Sequence, residues 1–187
     1  MNQLIPQRDF SSSGKLLVSA ITSIFVLMWI FALFAYYNLP NVIPTHFDMK
    51  GKPDDFGDKS SFLLTTFVLS ITPLIFIILV RYRFVLINRY PHLINLPGFF
   101  LYIEKIEYSR RAYWYNRYFE ILLWLGLSIS IYLFIIQLIV YNSTVSGEFN
   151  LLFLILIVVF PIFLIIPFLL VLSSLSKELK SEAEKNI

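Results

Sequence analysis

Four long apolar stretches decide what this chain can fold into. They run from about Leu16 to Leu39, Phe62 to Val80, Phe119 to Tyr141 and Leu151 to Leu172, with no charged residue in the middle of any of them. Each is near the length of about 20 helical residues that crosses a hydrocarbon core of about 30 Å. The rest of the composition agrees. Of the 187 residues 58% are hydrophobic and only 14% are charged, against about 45–50% and 25% in soluble domains. A single water-exposed core of this size cannot hide so much apolar surface. Disordered and nucleic-acid-reading classes are excluded on the same grounds. The fold class expected is an all-α membrane protein of four transmembrane helices, with an ordered outer loop and a cytoplasmic interfacial helix. There are no cysteines, which excludes disulfides, thiolate metal sites and cysteine nucleophiles.

Orientation follows from the lysines and arginines. The segment between spans two and three holds Arg81, Arg83, Arg89, Lys105, Arg110, Arg111 and Arg117. The N-terminal segment adds Arg8 and Lys15, and the C-terminal tail adds Lys177, Lys180 and Lys185. The loop after span one has only Lys50, Lys52 and Lys59, and the last loop has none. Cytoplasmic loops carry the excess of positive charge, so both termini and the middle segment are expected in the cytoplasm of a multi-pass cell-membrane protein. The first span is too long for a signal-peptide core and lacks an A-x-A cleavage pattern, so it reads as a retained helix. Tyr36, Tyr37, Trp114, Tyr115, Tyr118 and Tyr141 fall near span ends, where amphipathic rings favour the interface.

Inside the spans the polar groups are few: Glu120, Gln137, Thr65, Thr66, Ser70 and Thr72. The hydroxyls are expected to bond back to their own helix or across to a neighbour. Ser19 with Ser23, and Gly126 with Ser130, are small-xxx-small pairs that permit close helix approach. Pro73, Pro161 and Pro167 interrupt the hydrogen-bond ladders of their helices. From Phe99 to Tyr118 the chain reads as an interfacial helix, with Phe99, Tyr102, Ile103, Ile106 and Tyr113 on its apolar side and Lys105, Arg110 and Arg111 reaching lipid headgroups. Pro91, Pro97 and Gly98 break the chain ahead of it. Asn142-Ser143-Thr144 is an N-x-[ST] sequon in the short last loop, which makes Asn142 a candidate glycosylation site.

The loop of residues 40–60 is dense in residues with backbone meaning. Pro40, Pro44 and Pro53 push their predecessors toward extended conformations. Gly51 and Gly57 permit turns with positive φ, so a short extended piece is expected, then a turn near Lys50-Gly51 and a second near Asp55-Phe56-Gly57. Asp58 or Ser60 can cap the start of span two. On an extended strand His46 and Asp48 share a face. With Asp54, Asp55 or Asp58 folding back they form an imidazole–carboxylate set of the kind that binds a divalent metal. His46 can equally sense pH, since its ordinary pKa lies near 6.5, contact a partner, or simply bond loop backbone while Asp54 pairs with Lys59. No cofactor is expected apart from that metal, and no serine–histidine–carboxylate spacing, phosphate loop or H-E-x-x-H pattern occurs.

The order L-P-x-x-I-P-x-H-F, then G-x-P-D, then F-G-x-K, set between two membrane helices, resembles the membrane domain of unknown function at the N-terminus of SdpI-type immunity proteins. The resemblance covers about Leu16 to Val80 and rests on Pro40, Pro44, His46, Gly51, Pro53, Asp54, Gly57 and Lys59. It implies a polytopic envelope protein with a role in toxin immunity or signalling. The division it suggests is a two-helix membrane domain over 1–80, a cytoplasmic segment over 81–118, and a second helix pair with a tail over 119–187. Expected partners are the lipid bilayer and either a membrane protein or an extracellular peptide, with no nucleic acid. The remaining readings are an accessory subunit of a larger membrane complex and a metal-dependent membrane enzyme using His46.

Overall fold

A computed structural model describes residues 4–94 and 98–185 of the chain. The elements are α1 (Ser12–Asn38), β1 (Val42–Phe47), β2 (Pro53–Asp58), α2 (Ser60–Arg89), α3 (Phe99–Tyr102), α4 (Tyr108–Ser146) and α5 (Leu151–Lys185), with single 3-10 turns at Pro91–Leu93 and Ile103–Lys105. The helices α1, α2, α4 and α5 are each long and apolar enough to cross a membrane. They coincide with the four expected spans, and three of them run well past the expected ends. The α2, α4 and α5 helices continue beyond the hydrocarbon length because apolar residues keep recurring on one side of the extension. Phe84 and Ile87 on α2, Trp114, Tyr115 and Tyr118 on α4, and Leu175, Leu179 and Ala183 on α5 are all buried.

These extensions converge on a cluster that also takes in Ile5 of the N-terminal segment and Ala183 near the end of α5. Phe99, Ile103 and Ile106 are buried in it, with Phe99 packed on the rings of Tyr115 and Tyr118 at 5.7 and 5.5 Å. The expected interfacial helix over 99–118 is therefore not one element. The chain breaks at Ile106-Glu107, and residues 108–118 form the first turns of α4. Its apolar side is covered by protein. Arg110 grips Glu182 through two hydrogen bonds of 3.1 and 2.7 Å, and Arg117 bonds Glu178 at 2.7 Å, so these arginines face the C-terminal part of α5. Arg111 donates to the carbonyls of Ile106 and Glu104. Tyr115 and Tyr118 are likewise core residues and not part of an aromatic belt. Pro97, one of the expected breakers, lies outside the described residues.

Helix contacts through the bundle use the small and polar residues unevenly. Gly126 allows α2 and α4 to touch: a Cβ there would stand 2.6 Å from the Phe76 ring. Ser130 is buried one turn on and donates to the Gly126 carbonyl. Ser19 and Ser23, in contrast, are exposed and pack no helix of this chain. Thr65, Thr66 and Ser70 donate back to carbonyls of α2 as expected. Gln137 of α4 joins three helices, its amide donating to the Met28 carbonyl and to Thr66 Oγ1. Glu120 caps a helix of its neighbour. Its carboxylate accepts from the Ser11 backbone and hydroxyl, placing negative charge at the α1 N-terminus, where the helix dipole favours it. The N-terminal segment is clamped alongside, with Asn88 pairing Ile5 in both directions and Asn116 donating to the Arg8 and Asp9 carbonyls.

Candidate functional site

At the opposite end the loop of residues 40–60 folds as an antiparallel β-hairpin. This shape differs from the two turns expected, because only the first turn exists. Asp55, Phe56 and Gly57 lie in β2, and Gly57 does not have positive φ. It faces Ile43 across the ladder, and a Cβ on it would stand 2.9 Å from Thr45 Cγ2.

The hairpin is built from its turn and pinned at two places. Asp48 makes the turn: its Oδ1 accepts from the backbone N–H groups of Lys50 and Lys52, both at 2.8 Å. Its own N–H donates to the Lys52 carbonyl, and Gly51 N–H donates to the Asp48 carbonyl. Gly51 has φ 78°, which an L side chain resists. Its carbonyl accepts from Phe149 N–H at 2.8 Å, and a Cβ at this position would fall 2.1 Å from the Phe149 carbonyl oxygen. That contact ties the turn to the short 147–150 connection between α4 and α5. The second anchor is Ile43, 2% exposed, which packs with Ala32, Ala35, Leu39 and Phe62. Pro40 precedes β1, Pro53 opens β2 opposite Phe47, and Pro44 lies inside β1 opposite Phe56. Asp58 Oδ1 accepts from Ser60 N–H at 2.8 Å. This cap of the α2 start holds the Asp58 carboxyl below its usual range, hydrogen bonding to Ser60 being the main cause.

His46 sits where the ladder is irregular, between Pro44 and Phe47. Its Nδ1 lies 2.5 Å from Asp54 Oδ1, and both side chains remain largely exposed. The hydrogen bond and charge of Asp54 raise the imidazole pKa above its ordinary value, with smaller help from Asp55 and Asp48. The pairing expected between Asp54 and Lys59 is replaced by this one. The Lys59 ammonium instead lies 4.9 Å from the centre of the Tyr36 ring. Of the expected metal set, His46 and Asp54 meet, while Asp48 spends an oxygen on its own turn. Among the described residues no group of three His, Asp or Glu side chains could hold a metal ion.

The pair stands at the edge of a groove of about 490 Å³, whose other wall is Phe149, Leu151 and Leu154. Phe47 closes its floor against Phe149, ring centres 5.9 Å apart. A second cavity of about 280 Å³ lies beneath the hairpin, between Pro44, Phe47, Thr65 and Ser143. The wall from Phe149 to Leu154 is not apparent in the sequence, where its one signal is a phenylalanine among polar residues between two apolar spans. Asn142 does not lie in the last loop. It is in the last turns of α4, with Ser143 and Thr144 buried and Thr144 Oγ1 bonded to the Val140 carbonyl, so the sequon is helical and half covered.

Four membrane-length helices with a pinned hairpin at one end define a polytopic membrane protein. The chain belongs to one family with a protein of Archaeoglobus fulgidus (strain ATCC 49558 / DSM 4304 / JCM 9628 / NBRC 100126 / VC-16) described as an uncharacterized protein. The two are 41% identical over 181 residues, which is 95% of this chain and 97% of the relative. Residues 23–71, most of α1, the hairpin and the first part of α2, match a domain of unknown function, DUF1648. No solved structure matches.

Proposed function

We propose that the protein is a non-enzymatic membrane receptor of the SdpI-like kind. In this reading its hairpin binds a peptide or partner protein outside the cell, in a role of immunity or signalling. The observation that carries this is the join between a rigid cap and an open groove. His46 and Asp54 present an exposed ion pair, and Phe149, Leu151 and Leu154 present apolar surface beside it. A fixed hairpin holds those groups in one geometry, which a flexible connector cannot do. The groove suits a peptide with one apolar anchor and a neighbouring polar or charged group. Charge distribution supports the orientation: the twelve basic residues outside the hairpin belong to the end that holds both termini, and three belong to the hairpin end. By the positive-inside tendency the hairpin faces out.

The test is a photo-crosslinking amino acid at Met49, which is 96% exposed beside the groove, introduced into the full chain in its native membrane. A discrete peptide or protein adduct is expected, its yield falling at least about fivefold in His46→Ala. Adducts to lipid alone, or an adduct indifferent to His46, would defeat the proposal. A second reading, an accessory subunit, is favoured by one observation: the most apolar window of α5 has no buried residue. A stoichiometric membrane partner crosslinked along α5, with none at Met49, would select it.

A further inference from the structure

We infer a binding site for the phosphate of an anionic phospholipid headgroup at the end opposite the hairpin, built on Arg83 with Arg81 and Arg8. The Arg83 guanidinium is held in place from several sides. It lies over the rings of Phe10 and Phe84, at 3.9 and 4.7 Å from their centres. Its Nε donates to Asn116 Oδ1, one terminal nitrogen to the Val80 carbonyl and the other to the Arg8 carbonyl, at 2.9, 2.9 and 2.8 Å. A guanidinium carries five N–H bonds, so two remain to be used. None of the ion pairs among the described residues includes Arg83, Arg81 or Arg8. The one carboxylate beside them, Asp9, is bound to Lys15 at 3.0 Å. The three arginines and Asp9 border a polar cavity of about 230 Å³, room for a phosphate and part of its substituents.

Depth selects the ligand. Arg83 follows Phe62 by 21 residues of continuous α2 helix, about 32 Å at 1.5 Å per residue, just over a hydrocarbon core of about 30 Å. Arg83 therefore stands at the level where lipid phosphates lie. A fixed guanidinium with free N–H groups and no carboxylate within ion-pair distance is suited to an oxyanion by charge and by its forked geometry. At this depth the bilayer itself supplies one. Arg81 and Arg8 are exposed, and Arg8 rests 5.8 Å from the Tyr113 ring centre, so both can turn to the same phosphate while Arg83 fixes its position.

The experiment is native mass spectrometry of the full chain in an uncharged detergent, titrated separately with dioleoyl-phosphatidylglycerol, dioleoyl-phosphatidylcholine and inorganic phosphate. One phosphatidylglycerol is expected to bind per chain, at least tenfold tighter than phosphatidylcholine. Each basic residue near a membrane surface strengthens anion binding roughly fivefold, so the double variant Arg8→Gln/Arg81→Gln should weaken it roughly 25-fold. Both positions are exposed, so the fold should survive their loss. Lys50→Gln/Lys52→Gln at the hairpin should leave it unchanged. Equal binding of the two lipids, full binding by the double arginine variant, or saturation by inorganic phosphate without lipid binding would each overturn the inference.

Discussion

His46 and Gly51 show what single residues do in the hairpin. The imidazole pKa is raised by Asp54, so the pair's contribution to hairpin order is complete below the ordinary value near 6.5 and is lost as pH rises through the higher folded value. The chain has two histidines. In a His92→Gln background, NMR titration of the remaining imidazole should give a midpoint above the ordinary value, and Asp54→Asn should bring it down. A midpoint unmoved by Asp54→Asn would mean that the pair does not form. Gly51→Val joins two penalties. A β-branched residue at φ 78° costs about 1–2 kcal/mol, and its Cβ collides with the Phe149 carbonyl. A total of at least about 2 kcal/mol should detach the turn from the 147–150 connection. Trypsin added from the hairpin side should then cut after Lys50 several-fold faster than in the parent chain; the Lys52–Pro53 bond resists trypsin. An unchanged rate would show that the Phe149 tie does not hold the turn.

Among the elements, the C-terminal part of α5 shows how magnitudes decide between two kinds of contact. The ion pairs of Arg110 with Glu182 and Arg117 with Glu178 are visible, but partly exposed pairs of this kind contribute about 1 kcal/mol each. Leu179, at 0% exposure, is worth about 2–5 kcal/mol against alanine. Leu179→Ala should therefore release the α5 tail, seen as faster amide exchange over residues 172–185, and Glu182→Gln should change it little. The reverse order would mean that charge docks the tail. This element also marks where the sequence stops being legible. Spans were readable because hydrophobic length is a local property. The burial of Phe99, Ile103 and Ile106 was not, because an apolar face looks the same whether lipid or another helix covers it. The hairpin was half legible: Gly51 and the prolines announced a turn and extended flanks. Phe149 was not legible as its partner, because a backbone contact between segments so far apart in the chain leaves no pattern in either of them. His46 was recognisable from its motif, but its choice of Asp54 over the other acidic residues depends on the ladder irregularity beside it.

For the whole molecule, sidedness is the property on which the receptor reading depends, and the structure makes it simple to test. Four membrane-length helices and an even number of crossings bring the N-terminal segment, the end of α2, the start of α4 and the end of α5 to one end. Ile5 bonds Asn88, and Glu182 bonds Arg110. The hairpin and the 147–150 connection share the other end. Each end must therefore face one compartment as a unit, and a single probe at each reports the whole topology. Because the chain has no cysteine, an introduced one is a unique label. Met49 is 96% exposed at the hairpin tip, and Ser181 is exposed on the last turns of α5. With the basic end in the cytoplasm, a membrane-impermeant maleimide added to intact cells should label Met49→Cys. Ser181→Cys should react only after the membrane is opened. Labelling of Ser181→Cys in intact cells, with Met49→Cys protected, would invert the molecule. It would place His46 and its groove toward the cytoplasm and exclude an extracellular ligand.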